Sequence, residues 1–290
     1  MTTRLPVQLL LVSAACVLGA CGGDDSPTTE AETTSSAEAP APPEDTIEDP
    51  GLVVDVEGNR GLFVRCTGEG SPTIVMEGGD EDTSSSYAFA ETRLAREART
   101  CVYDRANLGA SDPAKGPLQL ANYVADLEAL FKAAKIPGPY VLVGTSGGGY
   151  ITAGYAVKHP DDVAGMVFVE VPAPFVNAPK EIVRATDPDS PENIERRDYL
   201  QIEKDAWAAR EEIGDIPITV ISNEYGKSEI AAAEFPEEKA GMKTNVSDQR
   251  GWLVLSSSAE QMVVHTGHAV EEEDPNLVID AILDVYDQAR

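Results

Sequence analysis

Pro139-Tyr140-Val141-Leu142-Val143-Gly144-Thr145-Ser146-Gly147-Gly148-Gly149-Tyr150 is the stretch from which the rest of the chain is read. Apolar residues lead into a Gly-Thr-Ser-Gly-Gly turn, and the segment after it reads as a helix. That is the strand–turn–helix context a G-x-S-x-G nucleophile elbow requires. A serine at the tip of so sharp a turn takes strained backbone angles, and its neighbours two residues away must be small. Gly144 and Gly148 meet that demand. Ser146 is then exposed at the carboxyl end of a central strand, where open α/β sheets place their sites. The Gly147 amide opens a helix, so it is a donor left free, and the helix dipole there favours negative charge. Taken alone, the same pattern also describes a Gly-rich loop before a helix.

The flanking sequence supplies the context. Gly51 to Cys66 alternates apolar and polar residues around Glu57-Gly58-Asn59-Arg60, which predicts an antiparallel hairpin with strands near 52–56 and 61–66. Thr73 to Glu77 reads as a short buried strand, followed by a helix near 86–98 and a strand from Thr100 to Asp104. From Leu118 the apolar residues Leu120, Tyr123, Leu127, Leu130, Phe131 and Ala134 recur every three or four positions, the pattern of an amphipathic helix stopped by Pro137-Gly138. Further strands are expected at Gly165 to Val169, Ile216 to Ser222 and Glu260 to Val264. Asp274-Pro275 reads as an N-cap with proline at the first position of the last helix. Alternating strands and helices predict an α/β fold with a mostly parallel sheet, helices on both faces and an antiparallel front hairpin. Residues 172 to about 213 break that rhythm. They begin Pro172-Ala173-Pro174 and continue into a charged helical run, Asn193 to Glu212, read as a small helical cap over the carboxyl edge of the sheet.

The chain has 290 residues and a formal net charge of −28. Such a surface repels nucleic acid and anionic headgroups, so neither is an expected partner. Residues 1–20 have a thin positive start and a short apolar run, too short to span a bilayer, ending in Leu18-Gly19-Ala20-Cys21. This resembles the lipobox of bacterial lipoproteins. The resemblance implies acylation of Cys21 and a lipid-anchored, extracytoplasmic place at the cell envelope. The alternative is an ordinary secretory signal cut after Ala20. Residues 21–50 hold almost no large apolar residue and read as a disordered acidic tether, leaving 51–290 as the folded domain. Of the four cysteines, Cys16 leaves with the signal and Cys21 carries the lipid. Cys66 ends one expected strand and Cys101 begins another. Outside the cytoplasm such a pair reads as a disulfide, with two buried thiols as the alternative.

Over roughly 52–290 the chain resembles the α/β-hydrolase family. The resemblance rests on Met76-Glu77-Gly78-Gly79, on Tyr103-Asp104-Arg105-Ala106-Asn107-Leu108-Gly109, on the serine turn and on Gly267-His268, in that order. It is nearest to the short-cap branch of esterase-like and proline iminopeptidase-like hydrolases. Two positions depart from the family pattern. Glu77-Gly78 stands where the family has His-Gly, and Asn107 stands where it has a second glycine. The resemblance implies that Ser146 is a nucleophile and that His268, in the loop before the last helix, is its base. Of the other two histidines, His265 ends the last strand and His159 precedes Pro160 at a helix end. The carboxylate that orients the imidazole follows one of two strands, which leaves Glu170 or Glu224, with Glu170 preferred. The oxyanion hole combines the Gly147 amide with that of Gly79 or Asp80, Gly79 being preferred. Asp104 and Arg105 are expected to hold loops by ion pairing.

These readings point to a serine hydrolase that cleaves small acyl esters through an acyl-enzyme. Amide cleavage of the proline iminopeptidase kind, and a hydrolase-fold binding protein without turnover, are the alternatives. No metal-ligand spacing or nucleotide fingerprint occurs, so no cofactor is expected. The partner is a small acyl substrate, the membrane being reached through the lipid alone; substrate identity and oligomeric state are not readable.

Overall fold

A computed structural model describes residues 50–56, 59–175 and 178–290. The signal peptide, Cys21 and all but the last residue of the expected tether lie outside the described residues. So do the first two residues of the front turn, Glu57 and Gly58.

The strands are β1 (Leu52–Val56), β2 (Arg60–Thr67), β3 (Thr73–Glu77), β4 (Thr100–Tyr103), β5 (Tyr140–Thr145), β6 (Val163–Val169), β7 (Ile218–Asn223) and β8 (Ala259–Val264). They form one sheet in the order β1-β2-β4-β3-β5-β6-β7-β8. β2 runs antiparallel to both its neighbours, and every other pairing is parallel. The helices are α1 (Ala88–Leu94), α2 (Leu120–Ala133), α3 (Gly147–Lys158), α4 (Lys180–Ala185), α5 (Tyr199–Ala209), α6 (Lys227–Ala232), α7 (Pro236–Gln249), α8 (Val270–Glu273) and α9 (Pro275–Gln288).

β5 explains how the layers form. All six of its residues are buried, and successive side chains point to opposite faces. Tyr140 and Leu142 join Leu127, Leu130 and Phe131 of α2 and Ile151 and Tyr155 of α3 on one face. Val141 and Val143 join Ala90 and Leu94 of α1 and Val278, Ile282 and Val285 of α9 on the other. A strand covered on both sides reads as a continuous apolar run, as this one does. Asp274 caps α9 by accepting the Leu277 amide at 3.1 Å, with Pro275 in the first turn.

Cys66 and Cys101 lie directly opposite each other in the β2–β4 ladder and are joined by a disulfide, with Cα atoms 4.1 Å apart.

Two regions depart from the sequence reading. The helical run expected from Asn193 to Glu212 is helical only over Tyr199–Ala209. Residues before it are drawn into the protein instead: Glu195 and Arg197 are buried, and Asn193 Nδ2 donates to the Arg197 carbonyl at 2.8 Å. Between β7 and β8, where no helix was read, lie α6, α7 and a 3-10 turn, Arg250–Leu255. The sequence of α7, PEEKAGMKTNVSDQ, carries no apolar stripe; Asn245 and Gln249 are its buried residues.

Candidate active site

Ser146 joins β5 to α3 with φ 46° and ψ −124°. That backbone region is costly for a residue with a Cβ and persists only where its surroundings impose it. Here they do. The Ser146 amide donates to the Val169 carbonyl of β6 at 2.9 Å. A Cβ on Gly144 would lie 2.5 Å from Gly149 Cα, and one on Gly148 would lie 2.3 Å from the Gly78 carbonyl oxygen. Both positions are therefore closed to any other residue without movement of backbone. Gly147 is the first residue of α3, so its amide has no intrahelical acceptor. Gly79 borders the serine: a Cβ on it would be 3.4 Å from Ser146 Cβ.

His268, in the segment between β8 and α8, places Nε2 3.0 Å from Ser146 Oγ and Nδ1 3.3 Å from Glu170 Oε2. Burial by itself lowers the imidazole pKa. The hydrogen bond and charge of Glu170, joined by the charges of Glu271 and Asp80, outweigh it and leave the pKa raised.

Glu170 follows β6, itself at φ 48°, and its side chain is 1% exposed. A carboxylate so buried needs donors on both oxygens. Oε1 accepts from the Asn223 amide at 2.5 Å, from Asn245 Nδ2 at 2.9 Å and from Gln249 Nε2 at 2.9 Å. Oε2 accepts from the Tyr225 hydroxyl at 3.0 Å, besides facing His268. Ser146, His268 and Glu170 are thus brought together from three loops.

Glu224 is elsewhere. Its exposed carboxylate faces the exposed His265 at 3.6 Å. His159 Nε2 lies 2.8 Å from Glu128 Oε1, and its ring packs on Tyr155. Arg105 is buried and ion-paired with Glu77 and Glu195, and it also donates to the Gly78 and Gly79 carbonyls at 2.6 Å each. Tyr103 donates to the same Glu77, so the glutamate that departs from the family pattern is a counter-ion. Asp104 holds its loops differently from the expectation: it accepts the Ser84 and Ala110 amides at 2.7 and 2.8 Å.

The sequence reading missed Tyr225, Asn245, Gln249, Glu195 and Arg197. Asn245 and Gln249 are four apart on one helix face, but only the buried acid they serve gives that spacing a meaning. Among the described residues no cluster of three His, Cys, Asp or Glu side chains is placed to hold a metal ion.

Comparison with known proteins gives the same architecture. Residues 72–207 match the family model described as alpha/beta hydrolase fold. The uncharacterized protein YqjL of Bacillus subtilis is 25% identical over 223 residues, covering 76% of this chain and 85% of that protein. A thermophilic esterase from Thermogutta terrifontis superposes with a TM-score of 0.64 at 18% identity, over 82% of this chain and 98% of its own. The enol-lactonase from Burkholderia xenovorans LB400 gives 0.64 at 17% identity, over 81% and 99%. At such identities the two structures speak for the fold alone.

Proposed function

The chain has the α/β-hydrolase fold, and from that premise we propose that it is a serine hydrolase cleaving acyl esters through Ser146, His268 and Glu170. The observation that carries this reading is the run of contacts Ser146 Oγ–His268 Nε2 at 3.0 Å and His268 Nδ1–Glu170 Oε2 at 3.3 Å. A serine hydroxyl is a weak nucleophile until a base takes its proton. His268 Nε2 is within reach of that proton, while Nδ1–H donates to Glu170. The buried carboxylate holds the tautomer and stabilises the imidazolium that forms.

In the proposed reaction Ser146 Oγ attacks the ester carbonyl carbon and its proton passes to His268 Nε2. The carbonyl oxygen becomes an oxyanion facing the amides of Gly147 and Gly79. His268 returns the proton to the departing alkoxide, leaving the acyl group on Ser146. Water, deprotonated by the same nitrogen, then releases the acid. An oxyanion donor of this kind is worth about 10²–10³ in kcat.

A fluorophosphonate probe tests the assignment. Wild type labels at Ser146 and hydrolyses p-nitrophenyl acetate; Ser146→Ala does neither while remaining folded. A folded wild type that stays unlabelled and inert ends it. We propose further that Cys21 carries the lipid and holds the domain at the cell envelope, outside the cytoplasm, since a cysteine directly after Leu18-Gly19-Ala20 supports that processing. In a bacterial host, incorporated radiolabelled palmitate is expected on wild type and absent from Cys21→Ser.

A further inference from the structure

The loop that carries Gly79 is held by charges from the cap insertion. Glu195 Oε1 accepts the Glu81 amide at 2.6 Å, and its two oxygens take a fork from Arg105, Nε and Nη2 each at 2.8 Å. Two residues on, Arg197 donates from Nη1 to Asp80 Oδ1 at 2.8 Å. Its Nη2 reaches the Gly147 carbonyl at 3.3 Å. The Arg197 side chain is 1% exposed. It lies over the rings of Tyr123 and Tyr199, at 5.3 and 4.6 Å from their centroids. A backbone bridge to Leu118 holds the segment in place. The two nitrogens that donate meet Asp80 and the serine turn side by side.

Asp80 stands against the residue whose amide the proposed reaction uses. A Cβ on Gly147 would lie 1.8 Å from Asp80 Oδ1. A carboxylate at that place, left without a counter-charge, opposes a negative charge developing on the substrate oxygen, and in a half-buried setting water screens it poorly. The charged groups facing Asp80 are Arg197, Glu195, Arg105 and His268, and among these Arg197 is the one that donates to it.

We propose that Arg197 is a positioning residue of the oxyanion hole, neutralising and pinning the Asp80 carboxylate and steadying Gly147 so that the Gly147 and Gly79 amides meet the oxyanion without a competing charge. This rests on the reading of Ser146 as nucleophile. It makes part of the cap a fixed support of the catalytic loop rather than a cover over it.

The test is a cycle of wild type, Arg197→Gln, Asp80→Asn and the double variant. It reads kcat and KM for p-nitrophenyl acetate, with circular dichroism to confirm folding. Arg197→Gln is expected to lower kcat about 10²-fold, the worth of an oxyanion donor, with KM changed by less than about threefold. Once Asp80 is Asn, the same change is expected to cost less than about fivefold, because coupled residues are not additive. Arg197→Lys, which keeps the charge, should recover part of the loss. An equal loss in both backgrounds, or no loss, overturns the proposal. Should Arg197→Gln fail to fold, Arg197→Lys read in the wild-type and Asp80→Asn backgrounds decides by the same coupling. In Arg197→Gln the Asp80 charge, one of those that raise His268, loses its counter-ion and should move the acid limb of kcat/KM to higher pH; an unmoved limb overturns the proposal. An inert, unlabelled wild type removes the functional reading and this proposal together. An active wild type without coupling removes only this one.

Discussion

Asn245 Nδ2 donates to Glu170 Oε1 at 2.9 Å across 75 positions of sequence. Gln249, one turn further along the helix, donates to the same oxygen and accepts nothing from solvent, being fully buried. The pair occupies one carboxylate oxygen and leaves the other to Tyr225 and His268. Truncating either residue removes one of the three donors to that oxygen, a hydrogen bond to a charged group worth about 1.5–3 kcal/mol. Asn245→Ala is therefore expected to lower unfolding free energy in urea by that amount. It should also lower kcat about tenfold by loosening the carboxylate that orients His268. Unchanged kcat in a destabilised protein would show that Glu170 needs no such support.

Glu170 and Glu224 were both open as the acid partner of His268, and their settings now differ sharply. One is buried with donors on both oxygens; the other is on the surface beside His265. Glu170→Gln keeps the shape and removes the charge. It is expected to lower kcat by about 10³–10⁴, while Glu224→Gln stays near wild type. The pH profile gives an independent reading. Glu170 and its neighbours leave His268 with a raised pKa against the opposing effect of desolvation, so the acid limb of wild-type kcat/KM should lie above the ordinary histidine value. In Glu170→Gln, with the main raising charge gone, the residual activity should show that limb moved to lower pH. A limb that does not move would assign it to another group.

Much of this was legible because the relevant signals are local. The serine turn needs small neighbours, the parallel strands need unbroken apolar runs, and Asp274-Pro275 announces a helix. Ser146 and Glu170 could be located because each directly follows a strand, whereas His268, in the loop between β8 and α8, was reached through the family resemblance. The support around them was not legible. Glu195 and Arg197 lie in a charged run that reads as helical, and in the structure they are instead buried against Arg105 and Asp80 ahead of the helix. Asn245 and Gln249 lie on a helix with no apolar stripe. Polar residues that pack inward on other polar residues leave no periodic trace.

The Cys66–Cys101 bond closes a loop with a sequence separation of 35. For a loop of that length the chain-entropy estimate gives about 4 kcal/mol of stabilisation, acting on the unfolded state. The bond joins β2 to β4, between the hairpin and the parallel part of the sheet. Replacing both cysteines by alanine should thus lower unfolding free energy by about 3–4 kcal/mol. The distance to Ser146 is spanned by β3, so kcat at 25 °C should be kept. A double variant as stable as wild type, measured by urea unfolding, would mean that the bond does not constrain the unfolded chain.

Glu203 of α5 titrates far from its ordinary range. Burial, reinforced by the charge of Asp80, pushes its carboxyl up to about 8, against the opposing pull of Arg197. Such a group is held neutral when folded and ionises readily when unfolded, so the folded state binds the extra proton between the two values. Its contribution to stability is fully present below the unfolded value near 4.5 and is lost as pH rises through about 8. Over that window wild type should lose roughly 2–4 kcal/mol that Glu203→Gln does not lose. The gain from the substitution therefore belongs to pH 7–9 and should vanish near pH 4, as urea unfolding at a series of pH values will read directly. Parallel pH curves for the two proteins would show that Glu203 is ionised in the folded state at neutral pH.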